Sequence, residues 1–477
     1  MENYIKLLET NNGEFISASA LEVTSIPKIS ILKDDYAPTD DIENEIKLGL
    51  GNLISEIYQS YKSFSATNNS AEISLELLWM TEPVINQPYK AQIRIFVISR
   101  AINNSENGSN EMVDRILSSC EAALKLHKYG TQRTSISTLE NATEHIETNA
   151  VHALVKDEHL DVMQNEMLPA CYSFDKLEAG AHDLGSIVNS LIEHPHCAVS
   201  FQLTPTHFTL EENGTITQMA QILDTLSKGV MTQGIGNVSI TAAETVSSVY
   251  KYYQTNKNNA LFNYGILIYG NARSVEDVTS KIYGHLTFDT SKAPSLKIID
   301  LSNTEVSDRN NFIPLPWITS ELLLQSDRNS QIWSYNTGFN NFYRLPYIIT
   351  AEEATEFFRL PIGTQRVSAG LPINDTESSS KTYSNNLINS GDIEIGLLKS
   401  SGNKDSIGIT LKDLAKHMLV VGTPGSGKTT FSVGLLDRLW KEHHIPFLVI
   451  EPAKNEYRAL VPVSYTHLRA HETGRNL

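Results

Sequence analysis

Residues Gly422–Thr429 read GTPGSGKT and fit the spacing G-x-x-x-x-G-K-[ST]. Such a spacing serves to hold a polyphosphate. Glycines 422, 425 and 427 let the backbone wrap closely, so that its N–H groups can point at phosphate oxygens. Lys428 would bring a positive charge to the β- and γ-phosphates, and the Thr429 hydroxyl suits Mg2+. Thr423, Pro424 and Ser426 complete the loop, and Thr430 follows it. A helix opening near Lys428 would aim its positive end at the same anion.

The flanking residues have the patterns needed to position that loop. HMLVV (417–421) reads as a buried strand. The stretch KTTFSVGLLDRLWKE reads as a helix with Phe431, Leu435, Leu436 and Leu439 on one face. PFLVIE (446–451) is a second apolar strand, and the three segments together predict a βαβ unit. Upstream, DIEIGLL (392–398) and IGIT (407–410) predict a hairpin. In TAEEATEFFRLP, Thr350 can cap a helix while Glu353 reaches back to its amide, and Pro361 is expected to stop that helix.

The first 345 residues carry no catalytic constellation. ISLELLWM (73–80) and AQIRIFVISRA (91–101) read as strands. In the second, Ile93, Ile95 and Val97 alternate with Gln92 and Arg94, a half-buried pattern. A helix is expected over 111–126, with Met112, Ile116, Ala123 and Leu126 as its apolar positions. CAVSFQLTPT (197–206) and FNYGILIYG (262–270) are further strands, with helical stretches over 218–226, 242–253 and 275–286. The fold class expected is mixed α/β and α+β. Its parts are α+β domains over 1–165 and 166–345, a connecting helix and hairpin over 346–410, and a P-loop domain over 411–462.

DLAKHMLVVGTPGSGKTT, followed by IPFLVIEPAKNEYRAL, resembles the HerA/FtsK-type ATPases. Within that superfamily the resemblance is to bacterial HerA-like ATP-binding proteins, and next to the ATPases of conjugative type IV secretion. It rests on Asp413-Leu414, His417, the loop, Glu451-Pro452 and Glu456-Tyr457, and it is strong over 348–460. It implies a RecA-like ATPase that uses ATP and Mg2+ and forms a ring, often hexameric, to move DNA or drive secretion. It also implies catalytic roles for Lys428 and Glu456, phosphate contacts from residues 422–430, and a Mg2+ ligand in Thr429. For Glu456 a helix-capping or surface role stays open, and His417 is given a structural one. DNA, a nuclease or a secretion apparatus are the partners implied. An ATPase energising a secretion assembly and a nucleotide-binding scaffold without hydrolysis remain alternatives to a DNA translocase.

The whole chain sets bounds on these readings. Its 477 residues carry a formal charge of −17, which argues against a broadly basic nucleic-acid-coating surface. Three cysteines are too few for a disulfide framework. The opening MENYIKLLETNNGEF has no signal-peptide pattern and no run approaches a membrane span, so the cytoplasm is the expected location. A motor of this type also needs an acidic pair on a later strand and an arginine from a neighbouring subunit. Neither can be placed in the 49 residues after Lys428. VSYTHLRAHET (463–473) reads as one frame of a transposon-based sequencing adapter. Residues 463–477 are therefore expected to be non-biological, the gene product truncated, and the chain as written to hydrolyse little or no ATP. That origin sets aside His467, His471 and Glu472 as metal ligands. EHPHC (193–197) is read as a loop before a strand rather than a zinc cluster.

Overall fold

A computed structural model describes residues 5–9, 13–32, 42–67, 72–84, 87–162, 170–178, 184–228, 240–287, 296–302, 344–363, 370–374, 391–397, 406–421, 427–450 and 457. The chain divides into two compact units, Met1–Asp375 and Thr376–Leu477.

The first unit begins β1 (Lys6–Glu9), β2 (Phe15–Pro27), α1 (Ile29–Leu32), α2 (Ile42–Thr67), β3 (Glu72–Val84), β4 (Gln87–Asn103), α3 (Glu106–Leu126), β5 (Gly130–Thr134), α4 (Ile136–Thr143) and β6 (Ala150–Lys156). It continues with β7 (Glu158–Val162), β8 (Ala170–Phe174), α5 (Gly185–Ile192), β9 (Ala198–Thr206), α6 (Leu210–Ser227), α7 (Ile240–Asn256), β10 (Leu261–Gly270) and α8 (Ala272–Leu286). β11 (Leu296–Asp300), β12 (Ile348–Thr350), α9 (Ala351–Ala354) and β13 (Ile373–Asn374) complete it.

One sheet runs β1-β2-β4-β3-β9-β10-β6-β11, with β5 and β13 joined to β2 and β12 to β10. Its described pairings are antiparallel except β13 on β2. Register places Leu21, Val97, Leu77, Phe201, Ile266 and Leu154 side by side across six strands. All six belong to one core, which residues of α2, α3, α5 and α8 cover. Each large apolar side chain so buried stabilises the fold by about 1.5–3 kcal/mol. A one-residue slip of β3 and β9 would put Glu76 and Gln202 into this row, so the register is strongly specified.

The row also crosses the boundary expected at residue 165. β9 lies between β3 and β10, so strands from both halves form one hydrogen-bonded surface, and a single unit stands where two domains were expected. Local strand patterns do not reveal which strand will be whose neighbour.

A second correction concerns β4. Phe96 and Ile98 are as buried as Ile95 and Val97, because a second core lies on the opposite face beneath Leu139 and Ala142 of α4. That face also buries charge. Arg100 Nη2 donates to Glu76 Oε2 at 2.6 Å, and Ser200 Oγ donates to Glu76 Oε1 at 2.5 Å.

Helix limits differ from expectation in two places. α3 starts at Glu106, because the Ser105 side chain caps it by accepting from the Gly108 amide. Its last residue, Leu126, is 74% exposed rather than part of the core. The Thr350–Glu353 capping box forms as expected, but α9 is a single turn that ends well before Pro361.

The second unit contains the expected hairpin, β14 (Ile393–Leu397) on β15 (Ser406–Ile409), then α10 (Leu411–Leu414) and α11 (Lys428–His443). Among the described residues, no helix is long and apolar enough to cross a membrane.

Candidate functional site

α11 starts at Lys428, where the loop motif placed it. Gly427, just before it, has φ +85° and ψ 13°, a left-handed conformation that disfavours any residue with a Cβ. Among the described residues no side chain caps the helix, and its first turn holds no acidic residue. An α-helix leaves its first N–H groups without intrahelical partners, and its dipole places partial positive charge there. This helix start therefore has the character of an anion site. Lys428 and Thr429 are half-buried beside it, and Thr430 is exposed. The C-terminal end is closed by left-handed His444, whose amide donates to Trp440 O at 3.1 Å. Lys441 and His443 in the last turn complement the negative end of the dipole.

The hairpin is tied to this helix within the second unit. His443 Nε2 lies 3.1 Å from Asp392 O, and an Arg438 guanidinium N–H donates to Glu394 O. The Asp392 carboxylate accepts from the Leu411 amide at 2.8 Å, anchoring α10 at the hairpin base. Asp413, one of the residues behind the family resemblance, has a local role. Its carboxylate accepts from Thr410 Oγ1 at 2.7 Å and from Lys416 Nζ at 3.2 Å, and the Thr410 bond first, then Lys416, holds its pKa below the usual range.

Phe431, Leu435, Leu436 and Leu439 share one half-buried face of α11, as their spacing predicts. The apolar runs on either side are in place, but neither 417–421 nor 445–450 carries a strand ladder among the described residues. Leu419, Val421, Leu448 and Ile450 are exposed, and so is His417, which was given a structural role. A parallel strand depends on neighbours for its N–H and C=O groups and on cover for both faces. The apolar pattern reports that potential without supplying the neighbours.

Of the residues singled out in the sequence, the structure gathers Gly427, Lys428, Thr429 and Thr430 at the helix start. Gly422, Thr423, Pro424, Gly425, Ser426, Glu451 and Glu456 lie outside the described residues, as do His467, His471 and Glu472.

In the first unit, EHPHC is a turn before β9. His194 Nε2 lies 3.1 Å from Asp277 Oδ2, which also accepts from Ser190 Oγ at 2.6 Å. A serine, a histidine and an aspartate meet here, but the aspartate is central and the serine does not reach the histidine, so the histidine cannot act as its base. His196 Nδ1 bonds His145 O, and burial pushes the Cys197 thiol up to about 12. Among the described residues, no group of three His, Cys, Asp or Glu side chains could hold a metal. Sequence reasoning missed the buried pairs Glu76–Arg100 and Lys156–Glu353. Their partners lie 24 and 197 residues apart, with no local pattern to link them.

Residues 393–473 match the family described as "Helicase HerA, central domain". The match takes in the hairpin, the loop motif and α11, and it continues through 463–473, giving no support to setting that stretch apart as an adapter. A search of curated proteins finds no match. The C-terminal part of this chain is thus similar to the central domain of HerA helicases, which supports its placement among HerA/FtsK-type ATPases.

Proposed function

We propose that the second unit binds ATP with Mg2+ through residues 422–430, and that the protein works as a HerA-like motor coupling nucleotide turnover to movement of DNA. The observation that carries this reading is a helix opening at Lys428 behind left-handed Gly427, with no side-chain cap among the described residues and no acidic residue in its first turn. It lies within the segment similar to the HerA central domain. Those features suit a triphosphate, whose oxygens would take the amides and the Lys428 ammonium. Thr429 would offer its hydroxyl to Mg2+, which would neutralise phosphate charge. Gly422, Thr423, Pro424, Gly425 and Ser426 would supply the rest of the cradle, and Glu456 an acidic group beside it. Lys428 would both bind the γ-phosphate and stabilise charge developing on it.

Ring assembly, as HerA-type ATPases suggest, and DNA as the moving substrate are parts of the same proposal. The test is binding of a fluorescent ATP analogue to the full chain with Mg2+, with and without Lys428→Ala, followed by the effect of duplex DNA on nucleotide affinity. Binding that depends on Lys428 and responds to DNA is the expected result. Lys428-dependent binding indifferent to DNA would remove the translocase reading and leave the nucleotide site. Binding unchanged by Lys428→Ala would remove both.

A further inference from the structure

α2 and α3 lie side by side on the first face of the sheet and run in opposite directions. Gly49 of α2 meets His127 just after α3, whereas Phe64 near the end of α2 sits under the Arg115 guanidinium, 5.4 Å from its ring centroid. Gly49 permits this approach, since a Cβ there would come within 2.5 Å of His127 Nε2. Between the helices is an open trough of about 830 Å3. Its walls include Leu53, Ala122 and Leu126, with Glu45 and Glu56 on the α2 side and Arg115 on the α3 side.

Two observations distinguish this trough from an ordinary helix seam. Leu126 lines it while 74% exposed, an apolar side chain that the fold leaves uncovered. The charges are also sorted. Lys47 pairs with Glu356, Lys125 with Glu121, and Arg133 with both Glu121 and Asp114. Among the described residues, Glu45 and Glu56 in the trough have no ion pair, and neither does Arg115, whose guanidinium lies over Phe64. Glu45 and Glu56 are eleven positions apart, which spans roughly 16 Å, or three turns, along one helix.

We propose that this trough docks an amphipathic helix of a partner protein. Its apolar face would lie on Leu53, Ala122 and Leu126, and its basic side chains, about three turns apart, would face Glu45 and Glu56. A three-turn acidic edge beside an apolar floor is the complement of a basic amphipathic helix laid in a groove. The chain's formal charge of −17 would steer such a partner inward. The inference is independent of the nucleotide site.

The probe is a labelled synthetic helix of about 15 residues, with leucines on one face flanked by lysines. A second peptide carries glutamates in place of the lysines. Both are titrated against the full chain by fluorescence anisotropy. The lysine peptide is expected to bind and the glutamate peptide to fail. Joint Glu45→Lys and Glu56→Lys substitution is expected to weaken the lysine peptide at least ~10-fold and to admit the glutamate peptide. Ala122→Trp, on the exposed side of α3, is expected to fill the trough and abolish binding while circular dichroism stays unchanged. Failure of the lysine peptide to bind, equal binding of both peptides, or binding that survives Ala122→Trp would overturn the proposal. So would dimers of the parent chain that the charge reversal dissolves, since the occupant would then be a second copy.

Discussion

Glu353 and Lys156 form an ion pair of 2.5 Å in the core of the first unit, with neither side chain more than 1% exposed. The carboxylate also closes its own helix cap, accepting from the Thr350 amide at 2.9 Å, and it takes the Leu177 amide at 3.1 Å. Lys156 Nζ in turn donates to Ile348 O at 3.2 Å and lies 3.4 Å from Tyr253 Oη. Every polar group of the pair therefore has a partner, the condition under which a buried ion pair can persist. The pair fastens the segment that carries β12 and α9 to β6, whose sequence neighbours are nearly two hundred residues away.

Removing one partner should leave the other charged and buried. Glu353→Ala is expected to destabilise the full chain by about 3–5 kcal/mol, and Thr350→Ala, which loses the cap and the Tyr252 hydroxyl contact but strands no charge, by about 1–2 kcal/mol. The double change Lys156→Met, Glu353→Leu should cost less than Glu353→Ala alone, since no charge is stranded. Denaturant unfolding midpoints measure all three. A double variant as unstable as Glu353→Ala, or more so, would show that the two groups do not act as a pair.

Acid should loosen the first unit through Glu212. Burial pushes this carboxyl up, but Arg344, donating at 2.8 Å to both oxygens, and the Thr209 cap outweigh that and hold its pKa below the usual range. A depressed carboxylate pKa contributes stability above the unfolded value, about 4.3, and that contribution is lost as pH falls through the folded value. Stability measured from pH 6 downward, a range set roughly by these carboxylate values, should fall less steeply in Arg344→Gln than in the parent. Equal slopes would assign the acid sensitivity to other groups.

Cys120, Cys171 and Cys197 are free and buried, and burial pushes each thiol up to about 12. Thiolate is the reactive form, so the native protein should resist alkylation at neutral pH and label only as it opens. Labelling followed by intact mass should track the denaturant transition. Prompt modification of any of the three in buffer would contradict their placement.

At the proposed nucleotide site, Lys428→Ala should weaken ATP binding roughly 100-fold, through loss of charge-assisted phosphate contacts. Gly427→Ala should also weaken it, because φ +85° costs a Cβ-bearing residue about 1–2 kcal/mol. Neither change should alter the unfolding of the first unit. Calorimetric titration with ATP and Mg2+ gives the affinities, and an unaffected Gly427→Ala would mean that the loop does not need this conformation to bind.

What was legible in the amino-acid order is what short stretches determine. The helix beginning at Lys428, the hairpin of β14 and β15 and the Thr350–Glu353 cap each rest on residues a few positions apart, joined by local hydrogen bonds and helical or strand periodicity. Tertiary structure decided which distant elements meet. It inserted β9 between β3 and β10 and so merged two expected domains, covered both faces of β4, and left Leu126 outside the core. It also gave the Glu353 carboxylate a second task opposite Lys156. These outcomes depend on burial and charge pairing between residues far apart in the chain, and such a contact leaves no mark on the local pattern around either partner.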